Sequence, residues 1–170
     1  DVVEYLVKLG HSRIATVAGD LGTQAGEARL EGYKQAMAKY GLSIPKGYIQ
    51  EGFFLRTPAR TAAKNLLNLE ARPTAIFAAS DVMALEVVDE AKQEGLRIPW
   101  DISLVGFDDN PIAGYSPVRL TTVAQPIVEM GRLAFEKLNQ IILGKEKQPV
   151  KVVLPAKLIK RESTLVLSKS

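Results

Sequence analysis

Apolar residues recur along this chain in two alternating periods. Val2, Val3, Leu6 and Leu9 lie at helical spacing, and Gly10 follows where a helix commonly ends on a left-handed residue, so a short amphipathic helix is expected first. Residues 14–18, Ile-Ala-Thr-Val-Ala, then form a compact apolar run that reads as a buried strand, and the loop Gly19 to Gln24 follows it. Leu30, Tyr33, Met37 and Tyr40 mark the buried stripe of a second helix closed by Gly41, and Tyr48 to Gln50 is a short strand. Thr57 and Pro58 suit the N-cap and first position of a third helix, whose stripe is Ala62, Ala63, Leu66 and Leu67.

The second half repeats the scheme. A strand over Thr74 to Ala79 stops at Ser80-Asp81, and a helix carries Met83, Ala84, Val87, Val88 and Ala91 to Gly95. Another apolar run, Ile102 to Phe107, stops abruptly at Asp108-Asp109-Asn110-Pro111, which reads as a buried strand delivering two carboxylates to its carboxyl end. Leu120 to Val123 is a further short strand, and Pro126 opens a strongly periodic helix with Ile127, Met130, Ala134, Leu138 and Ile141 on one stripe. Val150 to Arg161 is again apolar, with Pro155 expected at an edge or bend. Strands alternating with helices of about 10–15 residues predict an α/β fold, a Rossmann-like parallel sheet flanked by helices. Two prolines and a glycine between Asn110 and Arg119 mark the expected boundary, where the chain could cross to a second subdomain. A sheet-packing helix at residues 1–10 with no strand ahead of it is expected in a piece of a longer protein.

Composition narrows the function classes. With 46% hydrophobic residues in 170 the chain can bury a sizeable core, and 22 Lys+Arg against 19 Asp+Glu leave a net charge of only +3. The basic residues are scattered, which argues against a dedicated nucleic-acid surface on this chain. Cysteine is absent, so there is no disulfide framework and no thiolate chemistry. No apolar stretch is long enough to span a bilayer, so no membrane partner is expected. No cofactor or metal is expected either: ligand spacing is missing, and Gly19-Asp20-Leu21-Gly22 lacks the later glycines of a dinucleotide loop.

A parallel sheet aligns its strand ends, so the loops Gly19 to Gln24, Ala79-Ser80-Asp81 and Phe107-Asp108-Asp109 converge. Their carboxylates and hydroxyls suit a sugar-like or nucleoside-like ligand, and Phe54 offers an apolar face. Arg29 lies within reach of the same end. Plainer readings stand beside these: Asp81 as a helix opener, Asp109-Asn110-Pro111 as a turn, Arg29 as a solvated side chain, Phe54 as core. His11, the single histidine, precedes its strand and belongs at the opposite end of the sheet, which counts against a Ser-His-Asp triad and against catalysis.

The chain closely resembles the effector-binding region of LacI/GalR-family bacterial transcription regulators. The resemblance is carried by Leu9-Gly10-His11-Ser12-Arg13-Ile14-Ala15, by Arg29-Leu30-Glu31-Gly32-Tyr33, by Pro73 to Phe77 with Ser80 to Ala84, by Asp101 to Asp109, by Leu120 to Pro126 with Met130-Gly131 and Ala134, and by Arg161-Glu162-Ser163-Thr164, in that order. It implies a type I periplasmic-binding-protein-like fold of two α/β subdomains with a small effector, a sugar, sugar derivative or nucleobase, clamped between them. Residues 14–109 and 150–161 would build the C-terminal subdomain, and 1–10 and 120–143 would be remnants of an N-terminal one whose bulk, with the helix-turn-helix, is missing. The family's ligand arginine falls on Arg29, its ligand aspartate on Asp108 and its aromatic contact on Phe54. Ser80 stands where many members carry Asn, Ala25 where several carry Ser or Thr, and Gln125 is a further candidate at the crossover. Leu85, Val88 and Tyr115 are the resemblance's candidates for a homodimer contact, and operator DNA would be reached only through the missing helix-turn-helix. The implied protein is a cytoplasmic, non-enzymatic allosteric regulator. A periplasmic sugar receptor of a transport system is the alternative, and an α/β enzyme acting on a sugar or nucleoside the third.

Overall fold

The computed structural model describes residues 1–145 and 151–167. Twelve elements follow one another: α1 (Val2–Lys8), β1 (Ile14–Ala18), α2 (Gln24–Lys39), β2 (Ile49–Glu51), α3 (Arg56–Leu67), β3 (Ala75–Ala78), α4 (Asp81–Gln93), β4 (Ser103–Asp108), α5 (Pro111–Tyr115), β5 (Thr121–Ala124), α6 (Ile127–Ile142) and β6 (Lys157–Ile159). The strands form one sheet in the order β2-β1-β3-β4-β5-β6. All neighbours run parallel except the edge pair β5–β6.

The strand alternation sorts side chains between two apolar layers. Ala15 and Val17 of β1, Ile76 and Ala78 of β3 and Leu104 of β4 pack against α3 and α4. Ile14, Ala18, Ala75, Phe77 and Val105 point the other way, into a cluster with Val2, Val3 and Leu6 of α1 and Leu30, Tyr33 and Met37 of α2. Because helices cover both faces, β1 and β3 are buried along their whole length, which is why they read as continuous apolar runs.

Three expectations are corrected. The helix at 1–10 packs on α2 and shares the core with Ile14 and Tyr33, so α1 lies on the same sheet rather than in a second subdomain. The strand expected at 120–123 also stays in this sheet: β5 pairs with β4 from Val105↔Thr121 to Asp108↔Ala124. The chain therefore does not cross between Asn110 and Arg119; that stretch folds as the short helix α5, with Asn110 Oδ1 capping the Ile112 N–H and Pro111 at its start. Third, α3 begins at Arg56, ahead of Thr57, and has no side-chain cap. Pro58 is tolerated there because first-turn N–H groups have no intrahelical partner to lose. Val150, the first residue of the expected returning strand, lies outside the described residues.

The stretch Arg161 to Leu167 stitches the sheet from its amino end. Ser163 Oγ accepts from the Thr121 N–H at 2.8 Å and donates to the Leu104 carbonyl at 2.6 Å, joining β4 to β5. His11 sits on the same side, with Nδ1 3.0 Å from Thr74 Oγ1 and Nε2 3.1 Å from the Leu165 carbonyl. In contrast, α6 buries none of its residues here, although its apolar stripe is complete.

Candidate functional site

The order β2-β1-β3 means that the chain winds outward in both directions from β1 and β3, so their carboxyl ends leave a crevice where open α/β sheets hold ligands. One side chain bridges it. Thr23 Oγ1 accepts from the Gly26 N–H at 3.1 Å and starts α2, which places Arg29 above the β1 end. From there Arg29 Nη1 donates to the Ala79 carbonyl at the end of β3, and Nη2 donates to Asp108 Oδ1 at 3.4 Å, at the end of β4.

Two aromatic rings hold the guanidinium in place. Arg29 Cζ lies 3.8 Å from the centroid of Phe107 and 5.4 Å from that of Phe54. Phe54 reaches this position because Phe53 and Phe54 both take left-handed backbone, φ 56° and 59°, and because a glycine follows β1: a Cβ on Gly19 would stand 2.0 Å from Phe54 Cζ. Gln125, just after β5, completes the group by donating from Nε2 to Asp108 Oδ1 at 2.8 Å. Both bonds fall on Oδ1, and among the described residues Oδ2 accepts none. The cluster thus offers a ligand a free carboxylate oxygen, an amide and an aromatic wall.

The electrostatics fit a partly dry site. Arg29 and Asp108 keep 16% and 32% of their side-chain surface. Burial pushes the Asp108 carboxyl up, and Arg29 and the Gln125 hydrogen bond pull it back. Burial likewise lowers Arg29, opposed by Asp108. Asp81, fully buried behind the cluster, is pushed up to about 6 by burial, against the bonds it accepts from Thr122 and Asn110. Among the described residues no group of three or more His, Asp or Glu is arranged to hold a metal ion, and no helix is long and apolar enough to cross a membrane.

The structure therefore brings Arg29, Phe54, Asp108 and Gln125 together. Ser80 behaves differently: it is buried, and its Oγ caps α4 by accepting from the Met83 N–H at 3.3 Å, so it serves the scaffold. The sequence places Phe107 at the converging strand ends but gives it no role, because the last residue of an apolar run looks like core. Of the dimer candidates, Leu85 and Val88 turn into the core at 9% and 8% exposure, whereas Tyr115 is 89% exposed.

The periplasmic binding protein-like domain family matches residues 3–164, and the chain belongs to that family. Within it, the chain is similar to several transcription regulators. The HTH-type transcriptional regulator DegA of Bacillus subtilis is 38% identical over 168 residues, which are 99% of this chain and 50% of DegA. The transcriptional regulator CelR in complex with cellobiose superposes with a TM-score of 0.91 at 35% identity, over 95% of this chain and 49% of CelR. The lac repressor dimer bound to operator and the anti-inducer ONPF gives 0.88 at 32% identity, over 96% of this chain and 56% of the repressor. The chain spans about half the length of the curated relatives it matches.

Proposed function

We propose that this chain is the effector-sensing part of a cytoplasmic, non-enzymatic transcription regulator that binds a small polyhydroxylated effector, a sugar or sugar derivative, at the carboxyl ends of β1, β3 and β4. The observation that carries this reading is the Arg29–Asp108–Gln125 cluster set between Phe54 and Phe107 at the crevice of the sheet. Asp108 Oδ2 and the Gln125 amide accept from and donate to ligand hydroxyls, and the two rings supply the apolar surface on which a pyranose face rests.

In the complete protein, α6 belongs to a second subdomain that closes over the crevice, which accounts for an apolar stripe that this body leaves exposed. Effector binding favours one orientation of the two subdomains, and a homodimer passes that bias to DNA-binding heads on operator DNA. Tyr115 is the surface residue of this body assigned to the dimer contact.

A thermal-shift screen of the intact protein against cellobiose, monosaccharides and purine nucleosides tests the reading. A ligand present at about 100 times its Kd adds about 2.7 kcal/mol of stability, and the expected result is a clear upward shift with a sugar, lost in Arg29→Ala and Asp108→Asn. A sugar shift of equal size in the wild type and both variants would overturn the site.

A further inference from the structure

We propose that Asp81 is a positioning residue of this site: it pins the left-handed turn at the end of β4 and so fixes the direction in which Asp108 presents its carboxylate. The inference rests on the reading of Asp108 as an effector contact. Asp108 and Asp109 have φ of 115° and 52°, a backbone that side-chain-bearing residues rarely adopt. Such a turn persists only where its surroundings hold it.

Three bonds do so. The Asp81 carboxylate, with no exposed surface, accepts from the Asn110 N–H at 2.8 Å on one oxygen and from Thr122 Oγ1 at 2.6 Å on the other. The Asp109 N–H donates to the same Thr122 hydroxyl at 3.4 Å. Arg161 Nη2 donates to Asp109 Oδ1 at 2.7 Å from the far side. Arg161 ties the turn to β5 from the exposed side, through Asp109 Oδ1 and through its own N–H to Thr121 Oγ1, whereas Asp81 does so from the buried side, and it stands two residues past Ala79, whose carbonyl holds Arg29. The β4 strand makes room for it: a Cβ at Gly106 would lie 2.2 Å from Asp81 Oδ1. A residue that merely opened a helix would need neither that space nor those bonds.

Hydrogen–deuterium exchange of the intact protein without ligand reads the turn directly. In Asp81→Ala, peptides covering residues 106–112 and 120–125 are expected to exchange at least tenfold faster, while those covering β1 and β3 keep their protection. Asp81→Asn is expected to restore slow exchange, because its amide oxygen accepts from Asn110 and its nitrogen donates to Thr122. Thr122→Val, a milder change, is expected to give an intermediate, equally local increase, and it serves where Asp81→Ala does not fold. In parallel, the shift induced by cellobiose, or by a monosaccharide if cellobiose gives none, is expected to shrink in Asp81→Ala and return in Asp81→Asn. Unchanged exchange at 106–112 in Asp81→Ala, or in Thr122→Val where that variant alone folds, would overturn the proposal, as would a uniform increase across the protein. Local loosening with no sugar shift even in the wild type would instead overturn the effector reading and leave the pin standing.

Discussion

Asp81 is where burial and chemistry pull hardest against each other. Its carboxyl has no exposed surface and is pushed up to about 6 by burial, from an ordinary value near 3.8. A raised folded-state value means that folding favours the protonated form, so this contribution to stability is fully present below about pH 4 and is lost as pH rises through about 6. The groups facing it are the carboxylates of Asp108 and Asp109 and the guanidinium of Arg29. A displacement of that size corresponds to roughly 3 kcal/mol. Unfolding in denaturant at pH 4.5 and at pH 7 is therefore expected to favour the lower pH for the wild type relative to Asp81→Asn, in which this group cannot ionise. Parallel pH dependence in the two proteins would show that Asp81 does not titrate in this window.

At the scale of elements, most of the architecture was legible because the two periods of burial dominate the local sequence. The strand at 14–18 stood out as a short apolar run buried on both faces, and the helices carrying Leu30, Tyr33 and Met37 or Met83, Ala84 and Val87 stood out by the helical spacing of their buried residues. What escaped depends on long-range pairing. Nothing local to Leu120–Val123 says that it will lie beside β4, and the Asn110-Pro111 signal serves a turn and a five-residue helix equally. In the candidate site, the charged members stood out because an acid ending an apolar run is unusual. Phe107 looked like any strand residue until Arg29 stacked on it. Likewise Ser163 is one hydroxyl in a polar ending, yet it joins two strands. Ser163→Ala leaves the Thr121 N–H without its partner, and the expected cost is about 2 kcal/mol, read as a fall in Tm of roughly 6 °C. A change of under 1 °C would remove Ser163 from the framework.

For the whole molecule, the contrast is between a sheet closed on both faces and a helix, α6, closed on none. Leu138 is 56% exposed in this body, and a surface substitution there ordinarily changes stability by less than about 0.5 kcal/mol. If α6 packs into a second subdomain, Leu138→Glu instead buries a charge. The intact protein is then expected to lose about 2 kcal/mol or more in denaturant unfolding. Stability within about 0.5 kcal/mol of the wild type would show that α6 faces solvent in the intact protein too.

The measurement that bears most directly on the central claim is a crystal structure of the intact protein grown with the sugar that gives the largest thermal shift. The sugar ring is expected at the carboxyl ends of β1, β3 and β4, within hydrogen-bond distance of Asp108 and Gln125 and against the ring of Phe54 or Phe107. A sugar bound elsewhere, for instance in the hollow lined by Pro99, Trp100 and Pro117, with the Arg29–Asp108 pair untouched, would contradict it.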